Sequence, residues 1–245
     1  MQSRIILALD VNTVRAATDL MDAVKDGRVG MVKVGLELIT AQIAGEVAEN
    51  AQKRGLDVFW DGKPDDIPRT IGKAVKEAAA RGAKMINVHA NATVEGMMAA
   101  VANKGNAFIL GVSALTSIAT EEVELEFGHS RKSQVLYYAR MVSYAGCDGL
   151  ICSPGELEFL GKFSGRKENP EKQLGKLIKV IPGTRSPGAD AQDQKNVLTQ
   201  EVAIRNGADW LVIGSEINGA KDPGAAADAL NERIAKAFAE KGTPA

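Results

Sequence analysis

The chain has 245 residues, 45% of them hydrophobic and 25% charged, so it can bury a full core, and a single α/β barrel fits that length as well as two small domains do. Its 30 Lys and Arg stand against 31 Asp and Glu, a formal charge of −1, which excludes a global field for nucleic acid or an anionic membrane and leaves any anion to a local site. No run approaches the roughly 20 apolar residues of a membrane span, "MQSRIILALDV" turns polar at Asp10 too early for a signal peptide, and two Cys with two His are too few soft ligands for a zinc site.

A cytoplasmic location is therefore expected, with no nucleic-acid or membrane partner, and Cys147 and Cys152 are expected to pack as small apolar groups. In chain order, eight β-rich runs alternate with Ala-rich amphipathic stretches: Ile5 to Asp10, Val29 to Gly35, Asp57 to Asp61, Met85 to Ala90, Phe108 to Leu115, Gly149 to Ser153, Leu177 to Gly183 and Asp209 to Gly214. Each is nearly continuously apolar, as strands covered on both faces of a parallel sheet require. Among the intervening segments, Thr70 to Gly82 places Ile71, Ala74, Val75 and Ala78 at helical spacing, with Gly82 as the stop. Three phrases, "KRGLDVFW", "ARGAKMIN" and "RNGADWLV", repeat a Gly where a helix closes in the left-handed conformation. The polar stretch from Gly161 to Lys176 reads as a mobile loop. Val94 to Ala102 is Ala- and Met-rich and fits packing on the barrel as well as packing against a partner. Eight β/α units over this length predict a single (β/α)8 TIM barrel, α/β in class, as one domain from residue 1 to 245.

Catalytic groups of such a barrel sit at the C-terminal ends of the strands, and here those ends are charged. Strand one ends at Asp10, strand two carries Lys33, strand three ends in "DGKPDDIPRT" with Asp61, Lys63 and Asp66, and strand four ends at Asn87 and His89. Asp61 and Lys63 share a face if the extended backbone persists through Lys63. A lysine held between carboxylates stays an ammonium, which makes it a proton donor and not a nucleophile. A carboxylate set close to a bound anion raises that anion's energy, and the strain is relieved if the anion departs. Together these groups suit a reaction in which a carboxyl group leaves and the resulting carbanion is protonated. The loop "IPGTRSPGADAQDQKNV" with Arg185 follows strand seven and "IGSEI" follows strand eight, where TIM barrels frequently hold phosphate. A phosphorylated substrate is expected.

With "LALDV", "VKVGLEL", the D-x-K-x-x-D of "DGKPDDIPRT", "INVHA", "ALTS", "PGTR" with "DQK", and "GADWLVIG" in this order, the chain resembles the orotidine 5'-phosphate decarboxylase family from Ile5 to about Ala235. The D-x-K-x-x-D pattern alone is shared with related sugar-phosphate decarboxylases and synthases. The resemblance implies conversion of orotidine 5'-monophosphate to uridine 5'-monophosphate in pyrimidine synthesis, with no metal or organic cofactor. It implies a charged network of Lys33, Asp61, Lys63 and Asp66, in which Lys63 protonates C6 of the pyrimidine and Asp61 crowds the leaving group. It implies a homodimer in which Asp66, Ile67 and Thr70 reach across the interface. Asp10 would hold the ribose with Lys33, Thr116 would contact the pyrimidine, and Arg185, Gln194, Gly214 and Ser215 would surround the phosphate.

The chain departs from the family pattern at Gly62, Pro64, Asp65 and Arg69, and Gly62 and Pro64 flank the proposed acid. The departure of most consequence is Ser215, where the family generally places Arg in a "VGR" phrase. A charge-assisted contact contributes about 1.5 to 3 kcal/mol, so its absence predicts roughly ten- to hundredfold weaker use of substrate. Two other readings stand beside the first. One is a sister enzyme that uses Mg²⁺ on an enediolate, for which an additional acidic ligand is expected near "DGKPDD". The other is a catalytically weak nucleotide-phosphate binding protein.

Overall fold

The computed structural model describes residues 2–115, 118, 120–164, 174–186 and 198–241. Eight parallel strands close on themselves in sequence order: β1 (Ile5–Ala8), β2 (Met31–Gly35), β3 (Asp57–Asp61), β4 (Met85–His89), β5 (Phe108–Val112), β6 (Gly149–Ile151), β7 (Ile178–Ile181) and β8 (Trp210–Ile213). Closure is through β1 and β8, with Ile6 opposite Val212. This is the (β/α)8 barrel read from the sequence, and every strand lies within its expected run.

The continuous apolar runs make sense because each strand is buried on two faces. Side chains alternate with period two, so Ile6, Met31, Phe59, Met85, Leu110, Ile151 and Val180 fill the barrel interior. Their neighbours Ile5, Leu7, Val32, Val58, Ile86 and Leu211 pack outward against the helices. Both cysteines are buried, and burial pushes the Cys147 thiol up to about 12, as inert core residues require.

The helix after β3 spans Pro68–Ala80 and buries Ile71, Gly72, Val75 and Ala78. Ala74, expected on the packed stripe, is instead exposed, because it lies about 100° of arc from the centre of that stripe. Gly72 takes its place, where the next helix, Thr93–Asn103, comes close. A Cβ on Gly72 would approach Asn103 Nδ2 to 2.9 Å and Ala99 O to 3.5 Å. That second helix buries Met97 and Ala100 and leaves Met98 exposed. The three repeated helix ends close as expected: Gly55, Gly82 and Gly207 have φ of 70°, 77° and 112°. The following amides Leu56, Ala83 and Ala208 donate back to Ala51, Ala78 and Ala203 at 3.0, 3.3 and 2.9 Å.

The polar stretch from Gly161 is not a loop at its start. Gly161 to Ser164 complete a helix, Leu157–Ser164, held down by the buried Leu157 and Leu160 at helical spacing. Residues 165–173 of that stretch lie outside the described residues. Among the described residues no helix is long and apolar enough to cross a membrane.

Candidate active site

The strand period that fills the barrel also builds its mouth. One step of two residues above the interior layer, Met31 leads to Lys33, Phe59 to Asp61 and Met85 to Asn87, with Ala8 above Ile6 and Val112 above Leu110. The register puts Ala8 beside Lys33 and Gly35 beside Asp61. A cavity of about 330 Å³ opens above the apolar plug, lined by Asp10, Lys33, Asp61 and Lys63 from the ends of β1 to β3 and by Arg185, Gly214 and Ser215 from the loops after β7 and β8, with Gly214 adjoining Asp10.

The charged end is a chain of ion pairs. Lys33 Nζ lies 3.1 Å from Asp10 Oδ1 and 3.4 Å from Asp61 Oδ2, and Lys63 Nζ lies 2.6 Å from Asp61 Oδ1. Burial alone would drive the Lys33 ammonium toward neutrality, yet Asp61 and Asp10 outweigh it and raise its pKa. Burial likewise works against the Asp61 carboxylate, but Lys33 and Lys63 pull its pKa below the ordinary value. Both shifts point the same way: the pair stays ionised. Gly35 makes room for the ammonium, since a Cβ there would meet Lys33 Nζ at 2.7 Å.

Lys63 reaches this network by a route other than the expected one. The strand stops at Asp61, and Lys63 has a φ of 45°, so the extended conformation that would have aligned the two side chains does not persist. The left-handed turn folds Lys63 back over the mouth. For a residue with a Cβ, this conformation costs about 1 to 2 kcal/mol. Asn87, fully buried, holds the turn. Its Oδ1 accepts from the Lys63 backbone N–H at 2.8 Å and its Nδ2 donates to Asp61 Oδ1. The His89 backbone N–H adds a bond to Pro64 O at 3.1 Å. Asn87 stands at a strand end in the sequence without an evident role there. Its signal was an amide inside the otherwise apolar "MINV".

Asp66, Ile67 and Thr70 do not line the cavity. All three are exposed, Ile67 by 63%, and Asp66 Oδ1 accepts from the Ile67 N–H at 2.6 Å. Asp65 accepts from Asn91 Nδ2 at 3.0 Å. Each of the two carboxylates thus has a local partner. Among the described residues no three His, Cys, Asp or Glu side chains converge as metal ligands.

Thr116 and Gln194 lie outside the described residues. Leu115 and Ile118, which flank Thr116, are both held by Arg131. Arg131, buried, donates Nε to Glu156 Oε1 at 2.8 Å, NH2 to Leu115 O at 3.1 Å and NH1 to Ile118 O at 2.9 Å. In the loop after β7, Arg185 donates NH1 to Thr184 O at 2.9 Å, and its buried Nε–H has no acceptor among the described residues. Ser215 is exposed at the cavity edge beside Gly214.

A closed parallel barrel whose C-terminal rim carries two lysines on one buried aspartate, with a guanidinium across the mouth, defines an anion-handling TIM-barrel enzyme. The model of the Orotidine 5'-phosphate decarboxylase / HUMPS family matches residues 3–230, and the chain belongs to that family. It is 35% identical over 243 residues to orotidine 5'-phosphate decarboxylase of Actinobacillus succinogenes, covering 96% of this chain and 99% of the relative. It is 39% identical over 236 residues to that of Pseudomonas aeruginosa, covering 94% and 96%. The crystal structure of orotidine 5'-phosphate decarboxylase from Lactobacillus acidophilus superposes with a TM-score of 0.79 at 27% identity, covering 96% of this chain and 99% of that one.

Proposed function

We propose that the chain decarboxylates orotidine 5'-monophosphate to uridine 5'-monophosphate, with Lys63 as the proton donor to C6 and without metal or organic cofactor. The observation that carries this reading is the unbroken series Asp10, Lys33, Asp61, Lys63 above an apolar plug. The reaction breaks the bond between C6 and the carboxyl carbon and leaves its electron pair on C6. The Lys63 ammonium delivers its proton there, carbon dioxide departs, and Lys63 regains a proton from solvent. Asp61, ionised and fixed by Lys33, Lys63 and Asn87, repels the substrate carboxylate in the ground state and loses that repulsion as neutral carbon dioxide forms.

In the same reading Asp10 and Lys33 hold the ribose, Thr116 contacts the pyrimidine, and Arg185, Gln194, Gly214 and Ser215 surround the phosphate. A second copy completes the site with Asp66, Ile67 and Thr70. The exposure of Ile67 by 63% and of Met98 by 52%, at or beside two helices packed on each other, supports burial of this face in a homodimer.

The test is loss of orotidine 5'-monophosphate absorbance by the purified protein in excess chelator, with the product identified as uridine 5'-monophosphate. Turnover is expected under chelation, and Lys63→Ala is expected to abolish it with the fold intact. A requirement for added Mg²⁺, or near-parental turnover by Lys63→Ala, refutes the assignment.

A further inference from the structure

The loop after β7 meets the cavity with one residue and is fastened behind it by the next. Arg185 lines the cavity, whereas Ser186 does not. The Ser186 backbone N–H donates to Glu216 Oε1 at 3.0 Å, and its hydroxyl donates to Glu216 Oε2. The same hydroxyl accepts from Arg233 NH1 at 2.6 Å. Gln200, fully buried, donates Nε2 to Glu216 Oε1 at 3.0 Å and accepts Arg233 NH2 at 3.1 Å. Arg233 Nε closes the set on Glu201 Oε1 at 2.6 Å. The short helix Ser215–Asn218 and the helix Pro223–Lys241 thereby hold the residue next to Arg185, and the helix Gln200–Arg205 braces both from behind.

A carboxylate one position from Ser215 is a liability beside a pocket for an anion, unless its charge is engaged elsewhere. Here three donors occupy the two oxygens of Glu216, and Arg233 stands behind them. Ser215 brings no charge of its own. Among the described residues Arg185 is the cation at this end of the cavity, and its worth depends on being preset, since an arginine that must be ordered on binding loses affinity to that ordering. The geometry points to Glu216 as the positioning residue of the phosphate end: by locking Ser186 it presents Arg185 to the anion, so phosphate selectivity rests on the β7 loop. This inference rests on the nucleotide-phosphate reading above.

The experiment compares inhibition constants of uridine 5'-monophosphate and uridine, which differ only in the phosphate. Glu216→Ala is expected to lower the preference for the monophosphate about tenfold, the scale of one charge-assisted contact, while the uridine constant holds. Glu216→Gln, which retains an acceptor for the Ser186 N–H, is expected to restore most of it. In the Arg185→Ala background, Glu216→Ala should add no further loss, because residues acting through one group are not additive. Ser186→Ala, which keeps the N–H bond to Glu216 and removes the hydroxyl's contacts to Glu216 and Arg233, is the milder second variant, with a loss of about threefold expected because the backbone anchor next to Arg185 survives. A preference unchanged in both Glu216→Ala and Ser186→Ala overturns the inference, as does an equal loss from Glu216→Ala with Arg185 already removed. A parental protein that does not prefer the monophosphate overturns the phosphate reading itself, which is a separate failure.

Discussion

Replacing Asn87 by Ala tests whether a strained lysine is held in place by one buried amide. The substitution removes a charge-assisted bond to Asp61 and the acceptor of the Lys63 N–H. The first contributes about 1.5 to 3 kcal/mol and the second about 0.5 to 1.5 kcal/mol. Lys63, no longer held at a φ of 45°, relaxes and returns about 1 to 2 kcal/mol. The net loss is about 2 kcal/mol, a fall in Tm of about 4 to 8 °C for a chain of this size. Catalysis should suffer more than stability, because relaxation takes the ammonium off its position, and a displacement of about 1 Å costs about a hundredfold. The assay pairs thermal unfolding followed by circular dichroism with kcat for orotidine 5'-monophosphate. A folded Asn87→Ala protein with kcat within threefold of the parent refutes the argument that Asn87 positions the acid.

Gly62→Ala should raise stability by about 0.4 to 1 kcal/mol by restricting the unfolded chain, since the atoms nearest a Cβ there, on Ile39 and Trp60, lie at 3.5 Å; a lowered denaturation midpoint contradicts this. Asp61, with its pKa held below the ordinary 3.8 by Lys33 and Lys63 against its burial, contributes stability that is complete above that value. The contribution disappears as pH falls through the lower folded value, so Asp61→Asn should flatten the acid limb of stability measured by urea unfolding from pH 7 to 3. A limb of unchanged slope removes Asp61 from the explanation. Arg131→Leu leaves Glu156 buried without its cation, and a loss of about 3 to 5 kcal/mol is expected; chemical denaturation showing less than about 1 kcal/mol would mean that the pair is not coupled.

The parts of the site that could be read from the sequence are those fixed by strand period. Once Met31, Phe59 and Met85 are assigned to the interior, Lys33, Asp61 and Asn87 must follow on the same face two residues later, and no knowledge of other elements is needed. The alternation also separates residues that line the cavity from neighbours that pack outward, such as Val34 and Val88. Helix ends were legible for a similar local reason, because Gly55, Gly82 and Gly207 each close their own helix.

What escaped the sequence depends on contacts between elements. The meeting of Lys63 and Asp61 was expected from extended backbone, and it is reached instead through a left-handed residue whose N–H is held by Asn87, 24 positions later. Ala74 had the right composition for the packed stripe, but the close approach of the neighbouring helix selected Gly72, which no single-helix pattern contains. Glu216 carries no signal of its own in "IGSEI", because its bonds to Ser186 span 30 positions. In each case the deciding energy is the satisfaction of a buried polar group or the exclusion of a Cβ, and both are set by a partner distant in the chain. A barrel therefore reveals its catalytic strands early and its supporting contacts late. Substitutions at Asn87 and Glu216 discriminate most sharply here, because each changes the placement of a charged residue without altering that residue.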